Sequence, residues 1–163
     1  MTFVSDATSL ILLAKANLLE VFVRRNNVVI PKLVYGEVAK GKDKGREDSI
    51  LVEKLIAKNQ LSVVSANKAI KDKIGRLFNI KGGEQEVIAI ASEKKHIVIT
   101  DDKRCINAAK ALDIFFVTSL DVVVALYKNG VISKEKVIHS IDALEEYGWY
   151  SKELVKYYKE AIK

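Results

Sequence analysis

The stretch "EQEVIAIASEKKHIVITDDKRCINAAKAL", residues 84–112, changes its hydrophobic period twice. Val87, Ile88 and Ala91 follow Glu84 at offsets of three, four and seven, "HIVIT" (96–100) is a short continuous apolar run, and "KRCINAAKAL" (103–112) returns to helical spacing. Helix, strand and helix in such quick succession point to βαβ units, and so to a largely parallel sheet covered on both faces. The same stretch sets Asp101 and Asp102 side by side immediately after the strand. Adjacent like charges repel, so something must hold them together.

Working outward, "TFVS" (2–5) reads as a buried first strand, and "DATSLILLAKANLLEVF" (6–22) carries helical turns marked by Leu10, Leu13, Leu18 and Phe22. "VVI" (28–30) is the second strand, after which Pro31 supplies the dihedral favoured in the first turn of a helix running to about residue 40. "GKDKGRED" (41–48) is a charged, glycine-punctuated connector into a helix with Ile50, Leu51, Leu55 and Ile56. "LSVV" (61–64) is the third strand, residues 66–78 read as helical, "NIKGG" (79–83) interrupts the pattern, and "IFFVT" (114–118) is the fifth strand. Helices at 119–128, 134–146 and 151–162 close the chain. The expectation is one α/β domain over residues 1–163, with three α/β/α layers around a mostly parallel sheet of about five strands.

Composition narrows the function classes. Hydrophobic residues make up 49% of the 163 and charged residues 29%, a globular balance without a low-complexity block. No apolar run reaches the roughly 18 residues needed to cross a bilayer, and residues 1–20 lack a basic start and a cleavage site. The expected product is soluble and cytoplasmic, with no membrane partner. Cys105 is the only cysteine, which excludes an internal disulfide, and His96 and His139 are isolated, which leaves neither a zinc cluster nor a Ser/His/Asp triad. The connector at 41–48 lacks the spacing of a nucleotide-triphosphate loop. A net charge of +6 favours a polyanionic partner.

Against that basic background, carboxylates stand where they are expensive. Asp6 and the Asp101–Asp102 pair both follow strands, which places them on the rim where open α/β sheets bind ligands. Glu37 continues the stripe of Ile30, Leu33 and Val34 and is expected to face inward, and Glu84 shares its stripe with Val87, Ile88 and Ala91. Capping is the competing explanation for Asp6, Asp101 and Asp102, and a first-turn glutamate complementing the helix dipole is the competing explanation for Glu84. Glu37 lies too far along its helix for that. Thr8, two residues after Asp6, is placed to orient that carboxylate, although capping explains it almost as well. If the acids converge, Mg²⁺ or Mn²⁺ would resolve their repulsion, because both prefer hard oxygen ligands, and such ions promote phosphodiester hydrolysis. An acidic site on a basic protein suits a nuclease.

"VSDATSLILLAK", "VIPKLVYGEV", "KGGEQEVIAIASEKKHIVITDDKRCINAAKAL" and "FFVTSLDVVVAL" together resemble the PIN-domain superfamily in order and spacing, over about residues 2–128. The resemblance implies an α/β/α nuclease that binds Mg²⁺ or Mn²⁺ through four acids and cleaves RNA. It further implies a toxin like those of VapC type, with an antitoxin partner and a homodimeric state. Carried over by motif, the acids are Asp6, Glu37, Glu84 and, in the register T-x-D, Asp102. Many members have aspartate where this chain has Glu84. Asp101 becomes an auxiliary acid alongside Thr8, Glu86 a supporting or solvated residue, and Asp121 a helix cap. Residues from about 130 to 163 form a helical extension whose tyrosines and lysines suit packing on the domain or a second subunit, or contact with bases and phosphates. The alternative to a nuclease is a PIN-like module that binds RNA or protein without cutting.

Overall fold

A computed structural model describes residues 1–163. Five strands, β1 (Thr2–Ser5), β2 (Asn27–Pro31), β3 (Ser62–Val64), β4 (Ile97–Ile99) and β5 (Phe116–Val117), form one sheet in the order β3-β2-β1-β4-β5, and every pairing is parallel. Helices flank it in a three-layer α/β/α arrangement. From the central strand β1 the chain first builds outward through β2 and β3, then returns to add β4 and β5 on the other side. The order therefore reverses between β1 and β4, and the carboxyl ends of those two strands flank the crevice where such sheets bind ligands.

The helices are α1 (Ala7–Lys15), α2 (Leu19–Arg25), α3 (Lys32–Lys42), α4 (Glu47–Ala57), α5 (Lys68–Phe78), α6 (Gly82–Lys94), α7 (Lys103–Ala111), α8 (Ser119–Lys128), α9 (Lys134–Tyr147) and α10 (Lys152–Glu160). Val4, Ile30 and Val98 on neighbouring strands are wholly buried, as are Val87, Ile88 and Ile90 of α6, so strand and helix faces close on one core. Val137, Ile141 and Leu144 of α9, Val155 of α10 and Ile162 belong to that same core. The hydroxyl of Ser140 also donates to the carbonyl of Ala16 at 3.2 Å, which fastens α9 to the end of α1.

Local details depart from the expectations. The helical turns of residues 6–22 are split, because Asn17 adopts the left-handed conformation (φ 56°) between α1 and α2. Pro31 is not inside a helix: it pairs with Val64 as the last residue of β2 and is the N-cap of α3. The edge strand β5 has two paired residues, fewer than the apolar run at 114–118 suggests, and Phe115 is 83% exposed. No helix is long and apolar enough to cross a membrane.

Candidate active site

Asp6 leaves β1 at the β1–β4 seam. Its N–H donates to the carbonyl of Ile99 at 3.2 Å, which extends the strand pairing by one residue. Its side chain then caps α1: Oδ1 accepts the N–H of Ser9 at 2.8 Å, and Oδ2 accepts the hydroxyl of Thr100. The residue is only 3% exposed. Burial pushes its carboxyl up to about 6, a rise that the Thr100 and Ser9 hydrogen bonds restrain and the charge of Asp101 reinforces.

Thr100 is a hinge between the two proposed ligands, since its Oγ1 also accepts the N–H of Asp102 at 3.1 Å. Asp102 caps α7, with Oδ1 accepting the N–H of Cys105 at 2.9 Å. Beneath them lies the fully buried Cys105, whose thiol burial pushes up to about 12, with the negative charges of Asp6, Asp102 and Glu84 adding to the effect. Three of the four acids thus act on one buried sulfur. A thiol so protonated is an inert packing group.

Asp101, the neighbour, has a different task. Its Oδ2 accepts the hydroxyls of Ser9 (2.7 Å) and Ser119, and its Oδ1 accepts the N–H of Ser119 (3.1 Å) and the hydroxyl of Tyr150 (2.8 Å). One carboxylate therefore joins α1, the start of α8 and the segment before α10. Asp121 acts as a cap, making a capping box with Thr118, and its Oδ1 accepts the hydroxyl of Tyr158. The tyrosines pack on the domain through these acids, and desolvation first, then the carboxylates, raises both phenols, Tyr158 to about 12.

The two glutamates come from helices. Glu84 is half-buried in the first turn of α6, which opens on Gly82 in the left-handed region (φ 64°). Glu37 departs from the inward orientation expected of it. The buried stripe of α3 is Val34, Val38 and Gly41, while Leu33 and Glu37 form the next row around the helix and are exposed. Its carboxylate nevertheless rests on the α6 entrance, because a Cβ built on Gly83 would lie 3.1 Å from Glu37 Oε1. Partial burial, then the nearby charge of Glu84, raises the Glu37 carboxyl, opposed by the Gly83 N–H and Lys40. Glu84 and Asp102 line one cleft of about 440 Å³ with Asn79, Ile80, Lys81 and Arg104.

Ser9, Thr100, Ser119 and Tyr150 were not among the residues expected from sequence, yet they hold the aspartates in place. Thr8 is exposed in the first turn of α1, where the observed hydrogen bonds run to Ser9 instead. Glu86 is buried, accepting the N–H of Leu33 (3.1 Å) and the Lys71 ammonium (3.2 Å). It caps α3 from another helix, where Pro31 offers no side-chain acceptor.

None of Asp6, Glu37, Glu84, Asp101 or Asp102 takes part in a salt bridge; the acidic partners of the observed pairs are Glu20, Asp72, Glu86, Asp142 and Glu145. The donor set is one of hard oxygens, none of them ion-paired to a protein cation, which fits Mg²⁺ or Mn²⁺ in kind. As arranged, no three His, Cys, Asp or Glu side chains converge closely enough to hold an ion. The sequence model of a family described as a PIN domain matches residues 2–163. The chain belongs to the PIN-domain family. That match carries the resemblance beyond residue 128 to include α9 and α10. PIN domains are as a group nuclease-type folds that typically use divalent metals. No curated protein is significantly similar to this PIN domain in sequence.

Proposed function

We propose that this PIN domain is a Mg²⁺- or Mn²⁺-dependent endoribonuclease, with Asp6, Glu37, Glu84 and Asp102 as metal-holding acids. The observation that carries the reading is the Asp6–Thr100–Asp102 link at the switch point of the sheet, where the Thr100 hydroxyl donates to the Asp6 carboxylate and accepts the Asp102 N–H, and neither aspartate has a cationic partner. An ion held there supplies Lewis acidity toward the phosphodiester and lowers the pKa of water. The protein's own part is positional. Ser9 and Thr100 fix both oxygens of Asp6, the Cys105 N–H fixes Oδ1 of Asp102, and Lys81 and Arg104 bring positive charge to the cleft that Glu84 and Asp102 share. The basic remainder of the chain draws an RNA backbone toward that cleft.

One observation favours the alternative, a PIN-like module that binds without cutting: the acids do not converge in this arrangement, and both aspartates already serve as helix caps. Purified protein incubated with RNA and Mn²⁺, with and without chelator, separates the two. Chelator-sensitive cleavage that disappears in Asp6→Asn and Asp102→Asn supports the nuclease; absence of cleavage by the wild type, or undiminished cleavage by the double variant, rejects it. In the cell we propose the role of toxin, with an antitoxin partner and a homodimeric state. The expected outcome is growth arrest on expression alone, relieved by co-expression of a small DNA-binding protein encoded beside it. The dimer is checked by sedimentation.

A further inference from the structure

Two glutamates of α6 stand two residues apart and face opposite ways. At 3.6 residues per turn, Glu84 and Glu86 are separated by about 200° around the helix. Glu84 lines the cleft with Asp102, whereas Glu86 is turned to the far side and is only 7% exposed. There its carboxylate is divided between two other helices. Oε2 accepts the N–H of Leu33 in the first turn of α3 at 3.1 Å, and Oε1 takes the Lys71 ammonium of α5 at 3.2 Å. Lys71 is itself held in place, because Gln85 Nε2 donates to its carbonyl at 2.7 Å. Gly75 leaves room for that amide, since a Cβ there would meet Gln85 Nε2 at 2.4 Å. Glu86 therefore has its own cation, which sets it apart from Glu37, Glu84, Asp6 and Asp102.

The turn that Glu86 anchors is the one that leads to Glu37. Leu33 and Glu37 are one helical turn apart and share a row of α3, so a bond that fixes the Leu33 N–H fixes the start of that row. An N–H in the first turn of a helix has no partner within the helix, and Pro31 supplies no side-chain acceptor. A carboxylate from α6 takes that place and also complements the positive end of the α3 dipole. The same junction brings α3 onto the opening of α6, where a Cβ on Gly83 would lie 2.9 Å from Val34 Cγ2 and 3.1 Å from Glu37 Oε1. We propose that Glu86, neutralised by Lys71, is a positioning residue: it anchors the first turn of α3 to α6 and so holds Glu37 beside Glu84 for a shared cation. The cation rests on the nuclease reading; the placement of the two glutamates does not.

Placement is read without metal, by NMR of the full chain in chelator. The wild type should show slow exchange of the Leu33 amide and a nuclear Overhauser contact between the Gly83 α-protons and a Val34 methyl. Glu86→Ala should lose both, and Glu86→Gln, which keeps the acceptor, should retain them. A second variant separates this role from bulk stability. Glu86→Leu/Lys71→Met replaces the ion pair by apolar packing, so its urea midpoint should equal or exceed that of the wild type while the Leu33 amide exchanges fast. Calorimetry with Mn²⁺ follows. Affinity should fall about tenfold or more in Glu86→Ala and in Glu86→Leu/Lys71→Met, and Glu86→Gln should recover most of it. In a Glu37→Gln background the same substitutions should cost little further, because the carboxylate they displace is already gone. Wild-type Mn²⁺ affinity in Glu86→Leu/Lys71→Met, an equal loss with and without Glu37, or an unchanged Leu33 amide and Gly83 contact in Glu86→Ala overturns the proposal. Absence of Mn²⁺ binding by the wild type overturns the metal and nuclease reading instead, and the metal-free exchange and contact data then decide the placement on their own.

Discussion

The acidic rim has two halves built on different principles. Asp6 and Asp102 stand at the carboxyl ends of adjacent strands, each caps a helix, and one threonine hydroxyl links them. Glu37 and Glu84 stand on two helices that meet at Gly82–Gly83, partly exposed and mutually repelling. The first half is fixed by backbone geometry before any ligand arrives. The second has carboxylates on longer, freer side chains that gain most from a shared cation. On the proposed reading, preorganised aspartates and adjustable glutamates would form a site specified by the fold and completed by a divalent ion.

The largest expected effect lies in the fixed half. Asp102→Asn and Asp6→Asn should each lower kcat by several kcal/mol, about a thousandfold or more, with circular dichroism unchanged. Next comes Asp101, which the proposed reading leaves outside the metal set: Asp101→Ala orphans the Ser119 N–H and the hydroxyls of Ser9, Ser119 and Tyr150, and should cost about 3 to 4 kcal/mol in urea unfolding. Asp101→Asn should be milder than Asp102→Asn in cleavage. Equal loss of activity from the two would mean that both carboxylates serve the ion.

The third prediction uses the buried carboxyl. Asp6 titrates at about 6 folded and near 3.8 unfolded, so folding takes up a proton between those values. Its contribution is greatest below about pH 4 and is lost as pH rises through 6, in all about 3 kcal/mol for the metal-free protein. Denaturant midpoints in chelator, compared between wild type and Asp6→Asn across that range, should converge in acid, with the variant the more stable at pH 7.5. The smallest effect belongs to the adjustable half. Gly83→Ala would bring a methyl to 2.9 Å from Val34 Cγ2 and 3.1 Å from Glu37 Oε1, and should cost about 1 kcal/mol in stability while weakening Mn²⁺ binding.

This division also explains what could be read from the sequence. The alternation of periods gave all five strands, and strand-to-helix junctions pointed to Asp6 and to the Asp101–Asp102 pair, because both are local signals: an apolar run followed by a capping aspartate; choosing Asp102 within the pair took the family's T-x-D register. The break at Asn17 and the place of Pro31 were missed because a left-handed residue or a final strand pairing leaves little trace in periodicity. Glu37 was assigned one helical row too far inward, since Leu33 supplied a false continuation of the buried stripe and is itself 42% exposed. The Asp101 hub was out of reach for a different reason. Its partners at 9, 119 and 150 come together only through the sheet order and the return of the C-terminal helices, which no spacing along the chain encodes.

The claim on which everything else depends is that the four acids hold a divalent cation. Calorimetric titration of the purified protein with Mn²⁺ tests it directly, alongside Asp6→Asn/Asp102→Asn and Glu37→Gln/Glu84→Gln. A saturable isotherm for the wild type that is lost in the aspartate pair and weakened in the glutamate pair is the predicted result. No heat from the wild type, or an isotherm that survives both double substitutions, would contradict it.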